Sequence, residues 1–411
     1  MMLRTRIHGP LSVLLVFSAT LAPAQVRPGI DVLIARGFAP LVGQRVGLIT
    51  NPTGITSDLR STIDVLHAAP EVDLVALFGP EHGVRGEIAG GEHIADARDK
   101  ITGLPVRSLY GKHRKPTPEM LADIDVLVFD IQDIGSRSYT FISTMGVAME
   151  AAAENNRRFV VLDRPNPLTG HKIEGRLMDM QYQSFVGYFP IPYVHGLTVG
   201  ELARMINGEG WLAGGIQCDL VVVPMQGWQR NMWFDQTGLP WVLTSPHIPR
   251  ADTSLFYAAT GIMGELRVIS EGVGYTLPFE LCGAPDVDPQ KLADELNRRR
   301  LSGVTFRPLF FKPYYATYKG ETCGGVQIHV VDREKAELTP IQFHVMDAMR
   351  KLYPRTELFS KRRQRMFDKV CGTNGIRRRF EQNKPIGEIL THWNEGVDEF
   401  RTQRAKYLLY R

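Results

Sequence analysis

The sequence predicts an α/β protein: a Rossmann-like N-terminal domain with a mainly parallel sheet, followed by a smaller α+β C-terminal domain. Four short, continuous apolar runs end abruptly in polar clusters, at residues 46–51, 74–83, 126–133 and 159–166. Such runs are typical of strands buried on both faces of a parallel sheet. Helical segments separate the runs, and this alternation predicts helices on both faces of the sheet.

Local signals predict the other elements of the first half. Thr117 followed by Pro118 is typical of a helix start. Thr198 with Glu201 is typical of a capping box. The further elements that we expect are helices at 61–69, 141–155 and 202–207 and strands at 105–110 and 219–224.

The pattern changes in the second half of the chain. Residues 227–250 are rich in Trp and Pro, and their aromatic density favours an ordered loop packed over the first domain or the domain junction. From about residue 251 the chain no longer alternates strand and helix. The expected elements are helices at 289–300, 339–353 and 386–407 and strands at 304–311 and 325–332. We therefore predict a Rossmann-like domain at 28–250 and an α+β domain at 251–411.

The first 24 residues have the features of a secretory signal peptide. Arg4 and Arg6 precede an apolar stretch at 11–22, and Ala22-Pro23-Ala24 fits a small-x-small cleavage site. The mature chain is therefore expected to be exported, without stable membrane insertion. The predicted compartment is the periplasm if the source is Gram-negative, and the extracellular medium otherwise.

Composition excludes several classes of function. The formal net charge is only +4, and no basic stripe with interleaved aromatic residues is present, which argues against nucleic acid as a partner. The four cysteines have no metal-binding spacing, and their pairing is left open between disulfides and buried thiols. No GxSxG, GxxxxGK[ST], HExxH or GxGxxG motif is present, so we expect no cofactor and no bound metal.

Glu81 is the first candidate for catalysis. Ligands of open α/β sheets bind outside the carboxyl ends of the strands, and Glu81 follows a predicted buried strand in the glycine-rich segment GPEHGVRG. Burial at such a strand end raises the pKa of a carboxyl group, which is what a general acid requires. The neighbouring His82 is interpreted either as a hydrogen-bond donor to substrate or as an ordinary loop histidine.

A second acidic cluster follows the third apolar run. Asp130 and Asp133 are candidate ligands of a hard cation, but the nearby Arg137 favours an ion pair and a role in positioning substrate. Arg137 or Arg85 is a candidate for holding a substrate carboxylate in fork geometry. The other residues that we expect to bind substrate on this rim or near it are Asn51, Gln132, Tyr139, Asp163, Arg164, Asn166, Glu174 and His195, and Glu271 is a further catalytic candidate.

Several long motifs resemble one known family. They are FGPEHGVRG (78–86), KPTPEML (115–121), VFDIQDIGSRSYTFISTM (128–145), VLDRPNPLTG (161–170), SFVGYFPIPYVHGLTVGELARM (184–205) and CGGVQIHVVDRE (323–334). Together they resemble the NamZ-like exo-β-N-acetylmuramidases, from about residue 29 to the C-terminus. The resemblance implies an active site in the cleft between a Rossmann-like catalytic domain and a smaller auxiliary domain. It also implies release of N-acetylmuramic acid from the non-reducing ends of peptidoglycan fragments.

The resemblance also implies roles for particular residues. The Glu of the family's PEHG motif falls on Glu81, which becomes the expected catalytic acid. The remaining matched motif positions are Asp130, Gln132, Asp133, Arg137, Asp163, Arg164, Asn166 and His195. The chain departs from the family pattern at 245–250 and at 264–276, where Glu271 is kept but an asparagine and an arginine are lost. This departure leaves open a sugar other than N-acetylmuramic acid.

Glycoside hydrolysis usually needs two carboxyl groups, and the second one is left open. Glu271, Asp130 and Glu174 are candidates for the base or nucleophile, and the acetamido group of the sugar is a further candidate. Two rival functions are a catalytically inactive or re-specified sugar-binding protein and a metal-dependent hydrolase that uses Asp130 and Asp133.

Overall fold

The computed structural model describes residues 25–86 and 97–411. The predicted signal peptide, at 1–24, lies outside the described residues. No helix within the described ranges is long and apolar enough to cross a membrane.

A seven-stranded sheet forms the centre of the first half, which confirms the predicted fold class. Its strand order is β3-β4-β2-β1-β5-β6-β7, and every neighbouring pair is parallel except β3 with β4. The register places Thr50 beside Asp130, so the strands β1 and β5 end together at one edge. The strands are β1 (Arg45–Thr50), β2 (Asp73–Gly79), β3 (Ala97–Arg98), β4 (Pro105–Ser108), β5 (Val126–Asp130), β6 (Arg158–Leu162) and β7 (Asp219–Val223).

Within the described residues, four helices accompany this sheet. They are α1 (Gly29–Ala35), α2 (Thr62–Ala68), α3 (Phe141–Glu154) and α4 (Val199–Gly208). Helix α4 begins with the predicted capping box, in which Thr198 and Glu201 accept hydrogen bonds from each other's backbone N–H groups. The predicted helix after Thr117 is only a short 3₁₀ turn, Glu119–Leu121, because β5 begins soon afterwards at Val126.

The second half contains a smaller domain with an antiparallel sheet of strand order β8-β10-β9. Its elements are α5 (Thr253–Gly264), β8 (Leu281–Ala284), α6 (Pro289–Arg298), β9 (Val304–Phe311), β10 (Cys323–Val330), α7 (Pro340–Leu352), α8 (Gln364–Cys371), α9 (Gly375–Glu381), α10 (Ile386–Trp393) and α11 (Val397–Arg404). The single helix predicted at 386–407 is two helices, because Gly396 between them adopts a left-handed φ of 83°.

The hydrophobic core continues through both halves of the chain. One cluster of buried side chains extends from Ile49 and Phe78 beside the large sheet to Trp393 and Phe400 in the C-terminal helices. A separate cluster, which includes Ile30 and Val128, covers the other face of the large sheet. All four cysteines are buried free thiols.

Candidate active site

A cavity of about 390 Å³ lies beyond the carboxyl end of β2 and the loop that joins β5 to α3. Helix α5 and the segment that follows it form the opposite wall. The lining residues are Glu81, His82, Ser138, Tyr139, Thr140, Phe141, Ser245, His247, Ile248, Tyr257, Gly261, Gly264, Glu265, Arg267, Glu271, Val273 and Phe279. The cavity is thus built from both halves of the chain and has room for about one sugar residue.

Glu81 enters the cavity from the turn after β2. His82 and Gly83 have consecutive left-handed φ values of 76° and 77°, so the chain reverses sharply at the sheet edge. Glu81 is half-buried and accepts a hydrogen bond from the phenol of Tyr110. Burial, the charge of Glu81 and this hydrogen bond raise the pKa of Tyr110.

Glu271 enters the cavity from the opposite wall. It is only 6% exposed, and its Oε2 atom has no hydrogen-bond partner within the described part of the chain. It packs against Gly264, where an added Cβ would lie 2.8 Å from the Glu271 carboxyl carbon. Burial raises the pKa of Glu271 to about 7, while the nearby charge of Arg267 opposes the rise.

Aromatic rings and hydroxyl groups also line the cavity or lie directly behind its wall. The Ser138 hydroxyl lies 2.9 Å from the Tyr193 hydroxyl and 3.0 Å from the Tyr257 hydroxyl. The ring of Tyr257 makes edge contacts with Tyr139 and Phe279, at centroid distances of 5.7 and 5.0 Å. Rigid apolar faces with a few placed polar groups are typical of a ligand site.

His247 closes one side of the cavity. Its Nε2 atom lies 3.0 Å from the hydroxyl of Tyr315. The pKa of His247 is lowered, mainly by burial and also by the charges of His82 and Arg267. His247 is therefore poised to contact a ligand as a neutral imidazole.

Four of the site residues predicted from sequence line this cavity: Glu81, His82, Tyr139 and Glu271. The sequence analysis missed Ser138, Ser245, His247, Tyr257, Glu265 and Arg267, which also line it. Helix α5, which carries Tyr257, was not predicted because almost its whole circumference is buried and it has no polar face. The sequence analysis marked the segment 264–276, which contains Arg267, only as a departure from the family pattern.

Asp130 is a framework residue, which corrects its interpretation as a second catalytic carboxyl or metal ligand. It is fully buried, and Arg164 donates to its two oxygens at 2.6 and 2.9 Å. The Thr62 hydroxyl also donates to Asp130, at 2.6 Å. Both carboxylate oxygens are therefore occupied by protein donors, and neither Asp130 nor Arg164 lines the cavity.

Arg137 is likewise a framework residue, which corrects its interpretation as the partner of a substrate carboxylate. Its side chain is fully buried and donates to four backbone carbonyls, those of Arg176, Ile191, Val370 and Cys371, at 2.7–3.1 Å. Its guanidinium therefore joins the first domain to the end of α8.

Arg85 does not line the cavity either. It forms ion pairs with Asp99 and Asp64, at 2.6 and 2.8 Å, and these carboxylates raise its pKa. The expectation that Arg85 binds a substrate carboxylate is corrected accordingly.

The strand-end residues Asp163 and Asn166 have local structural contacts. Asp163 accepts hydrogen bonds from the Thr198 hydroxyl and the Gly200 N–H, both at 2.8 Å, at the start of α4. The Asn166 amide donates to the Leu197 carbonyl, at 2.9 Å. These contacts fix the turn after β6, and the expected substrate-binding role of Asp163 and Asn166 stays a prediction.

Glu174 and His195 lie away from the cavity. Glu174 accepts hydrogen bonds from the N–H groups of Leu338 and Thr339, both at 2.8 Å, so it anchors the start of α7. This contact corrects its interpretation as a catalytic base or substrate ligand. His195 is buried, which lowers its pKa to about 3, and its Nδ1 accepts from the Leu197 N–H at 3.2 Å.

Asn51, Gln132 and Asp133 are buried beneath the rim. Asn51 accepts from the N–H and hydroxyl of Thr53. The amide of Gln132 donates to the Asp133 and Pro165 carbonyls, both at 2.7 Å. Asp133 accepts from the Gly135 N–H at 2.7 Å, and burial raises its pKa to about 7. None of the three lines the cavity, and their expected contact with substrate stays a prediction.

The Trp- and Pro-rich stretch explains why the cavity is displaced from the middle of the sheet. The strand order reverses at β1, and ligands of open α/β sheets usually bind at such a switch point. Here Phe234 and Trp241 line, together with Gln132 and Arg164, a gap of only about 20 Å³. This packing confirms the predicted ordered loop, and it leaves the space beyond β2 as the open site.

No group of three or more His, Cys, Asp or Glu side chains within residues 25–86 and 97–411 is arranged to hold a metal ion. Among the described residues, three carboxyl groups line the cavity, those of Glu81, Glu265 and Glu271. Two of them, Glu81 and Glu271, are the catalytic candidates from the sequence, and glycoside hydrolysis usually needs two carboxyl groups.

Comparisons with known proteins identify the family. Family models described as exo-β-N-acetylmuramidase NamZ, N-terminal and C-terminal, match residues 46–252 and 255–410. The chain is 46% identical over 386 residues to the peptidoglycan β-N-acetylmuramidase NamZ of Bacillus subtilis (strain 168), covering 94% of this chain and 92% of that protein. The fold and these matches define an α/β glycoside hydrolase. Within that class, the chain belongs to the exo-β-N-acetylmuramidase NamZ family, as the sequence motifs indicated.

Two crystal structures of DUF1343 family proteins from Bacteroides fragilis NCTC 9343 have the same fold. One is 55% identical with a TM-score of 0.91, and the other is 29% identical with a TM-score of 0.76. Each match covers 94% of this chain and 99% of the solved chain. The arrangement of both halves is thus shared along nearly the whole length.

Proposed function

We propose that this enzyme is an exo-acting glycoside hydrolase that releases N-acetylmuramic acid from the non-reducing ends of peptidoglycan fragments. Membership of the NamZ family supports the reaction class. The observation that carries the proposal is that Glu81 and Glu271 line the same cavity of about 390 Å³, one from each half of the chain. A cavity of this size suits a single terminal sugar, which is what an exo-acting enzyme binds.

We assign the general acid to Glu81 and the second carboxyl role to Glu271. Glu81 is half-buried in the turn after β2. From this position its carboxyl group can donate a proton to a leaving-group oxygen that extends toward solvent. Glu271 lies deeper and has an unpartnered Oε2 atom within the described chain. A carboxyl group with a pKa near the working pH is suited to accept a proton from water or to stabilise developing positive charge on the sugar.

The first test compares wild type with Glu81→Gln and Glu271→Gln on 4-nitrophenyl β-N-acetylmuramide. We expect turnover by wild type and losses in kcat of at least about a hundredfold in each variant, because general acid–base catalysis commonly contributes that much. The activated leaving group softens the loss for Glu81→Gln, so a natural disaccharide is assayed beside it. Glu399→Gln is the matched control, because Glu399 is exposed on α11 and is not among the residues that line this cavity.

Two outcomes would contradict the proposal. Absence of turnover by folded wild type on the muramide and on natural fragments would favour a sugar-binding protein without catalysis. Full activity in both glutamine variants would remove the assigned carboxyl groups from the reaction.

We also propose that the enzyme acts after export, in the periplasm if the source is Gram-negative and outside the cell otherwise. The support is the basic start, apolar stretch and cleavage site within residues 1–24. Cell fractionation and sequencing of the mature N-terminus test this proposal. A cytoplasmic protein with an intact N-terminus would contradict it.

A further inference from the structure

The proposed substrate carries a charge that the cavity must accommodate. N-acetylmuramic acid differs from N-acetylglucosamine by a lactyl ether, whose carboxylate is ionised at neutral pH. Glu81, Glu265 and Glu271 also line the cavity, and their ionised forms repel a carboxylate. A cation is therefore needed at one point of the wall if the lactyl group is to be bound rather than excluded.

Arg267 is the one arginine or lysine among the described residues that line the cavity. Arg137 is fully buried on backbone carbonyls, and Arg85 is paired with two aspartates. The Arg267 side chain is exposed and makes no hydrogen bond or ion pair with any of the described residues. Its guanidinium donors are thus available to a ligand.

The backbone at Arg267 gives a second, independent observation. Arg267 follows the end of α5 with a left-handed φ of 60°, a conformation that favours glycine over residues with a Cβ atom. Its N–H donates to the Gly264 carbonyl at 3.2 Å, so the turn after α5 holds this conformation. The turn thus presents a side chain at a position where glycine is favoured, and this side chain lines the cavity.

The surroundings of Arg267 favour a carboxylate ligand over a structural ion pair. Glu265 and Glu271 lie close enough for the charge of Arg267 to lower their pKa values, yet neither forms a salt bridge with it. The guanidinium has the fork geometry that holds a carboxylate with two parallel hydrogen bonds.

We propose that Arg267 binds the lactyl carboxylate of N-acetylmuramic acid and so distinguishes this sugar from N-acetylglucosamine. This inference rests on the proposed function and names the residue that sets its specificity. The catalytic glutamates act on the glycosidic bond, which both sugars share. Arg267 contacts only the substituent in which they differ.

The experiment uses a matched pair of substrates, 4-nitrophenyl β-N-acetylmuramide and 4-nitrophenyl β-N-acetylglucosaminide. For Arg267→Met, which keeps the apolar stem without the charge, we expect kcat/KM on the muramide to fall about tenfold to a hundredfold. We expect less than a threefold change on the glucosaminide. Arg267→Lys is expected to fall between wild type and Arg267→Met, because it keeps the charge but loses the fork.

Binding of the free sugars, measured by calorimetry, provides a readout that does not need turnover of the glucosaminide. Wild type is expected to bind N-acetylmuramic acid more tightly than N-acetylglucosamine, and Arg267→Met is expected to abolish that difference. Arg36→Met is the control, because Arg36 is exposed beyond α1 and is not among the residues that line this cavity. Thermal unfolding of each variant confirms that it is folded.

The outcomes separate this proposal from the proposed function. Wild type that hydrolyses and binds neither sugar overturns the proposed function and this assignment with it. Wild type that prefers the muramide while Arg267→Met keeps the same preference overturns the role of Arg267 alone. Equal losses on both substrates in folded Arg267→Met would also overturn it.

Discussion

At the scale of single residues, the two cavity glutamates have unlike surroundings. Glu81 is half-buried beside Tyr110 at the sheet edge, whereas Glu271 is nearly inaccessible and lacks a partner for one oxygen within the described residues. Environments that separate two carboxyl groups in this way allow one to donate a proton while the other accepts one. The difference arises from position, because both residues have the same side chain.

The raised pKa of Glu271 predicts the acidic limb of the pH–rate profile. Burial raises this pKa from 4.5 to about 7, so the carboxyl group becomes mostly ionised only above pH 7. If ionised Glu271 is the base or nucleophile, kcat/KM on the muramide falls as pH decreases through about 7. We expect the residual activity of Glu271→Gln to lack this limb.

Steady-state assays from pH 5 to 9 measure this dependence, with Glu399→Gln as the control that keeps the wild-type profile. If activity instead falls as pH rises above 7, and Glu271→Gln lacks this fall, Glu271 is the proton donor. The roles of Glu81 and Glu271 would then be exchanged. A Glu271→Gln profile that keeps the limb would attribute the limb to another group.

At the scale of elements, Arg137 connects two parts of the fold that are distant in sequence. It lies between β5 and α3 and donates to the carbonyls of Val370 and Cys371 at the end of α8. Burial of the guanidinium away from a carboxylate is costly and lowers its pKa to about 10. The hydrogen bonds to buried carbonyls offset this cost only while all of them are made.

Arg137→Met is therefore expected to destabilise the protein by about 3 kcal/mol, because it leaves several buried carbonyls without a donor. The KM of the folded fraction for the muramide is expected to change less than twofold. Urea denaturation and steady-state kinetics measure the two quantities, with Arg36→Met as the control. A selective rise in KM at unchanged stability would instead support the carboxylate-binding role that the sequence suggested.

Local sequence signals predicted the elements that have a strong pattern of their own, and they missed those that depend on burial or on the conformation of a single residue. The capping box at Thr198, the strands of the large sheet and helix α3 have strong patterns, and the structure contains them. Helix α5 is buried on almost all sides, so it has no amphipathic period to detect. The split between α10 and α11 depends on the left-handed conformation of Gly396, which composition alone does not determine.

The candidate site was predictable only in part for a related reason. Position after a strand places a side chain on the rim, but the direction of the side chain depends on tertiary packing. Asp130 and Arg164 point at each other beneath the rim, whereas Glu81 enters the cavity because the turn at His82 reverses the chain. Arg267 follows α5, a helix that the sequence analysis did not predict. A rule based on the ends of strands therefore could not identify Arg267 as a site residue.

At the scale of the whole molecule, the two halves share one core. The hydrophobic cluster that begins beside the large sheet continues without interruption into the C-terminal helices. Polar contacts cross the same boundary, where Lys172 donates to the Ala336 carbonyl at 2.6 Å and Glu174 accepts from Leu338 and Thr339. The walls of the cavity are therefore held relative to each other before any substrate arrives.

A shared core predicts that the protein unfolds in a single cooperative transition, although it contains two sheets. Independent domains unfold separately when their interface is small and polar, whereas here each half buries apolar side chains of the other. Glu174→Ala leaves the two N–H groups at the start of α7 without their acceptor, which costs about 2 kcal/mol. We expect this variant to shift the single transition to lower temperature without splitting it.

Scanning calorimetry tests this prediction through the ratio of the calorimetric to the van 't Hoff enthalpy, which is one for a single cooperative unit. Activity followed against temperature should be lost in the same interval, because the cavity requires both walls. Two resolved transitions in wild type, or a separate early transition in Glu174→Ala with loss of activity, would mean that the halves are independent. In that case the cavity would form by closure around substrate, and the positions of Glu81 and Glu271 would be set by binding rather than by the fold.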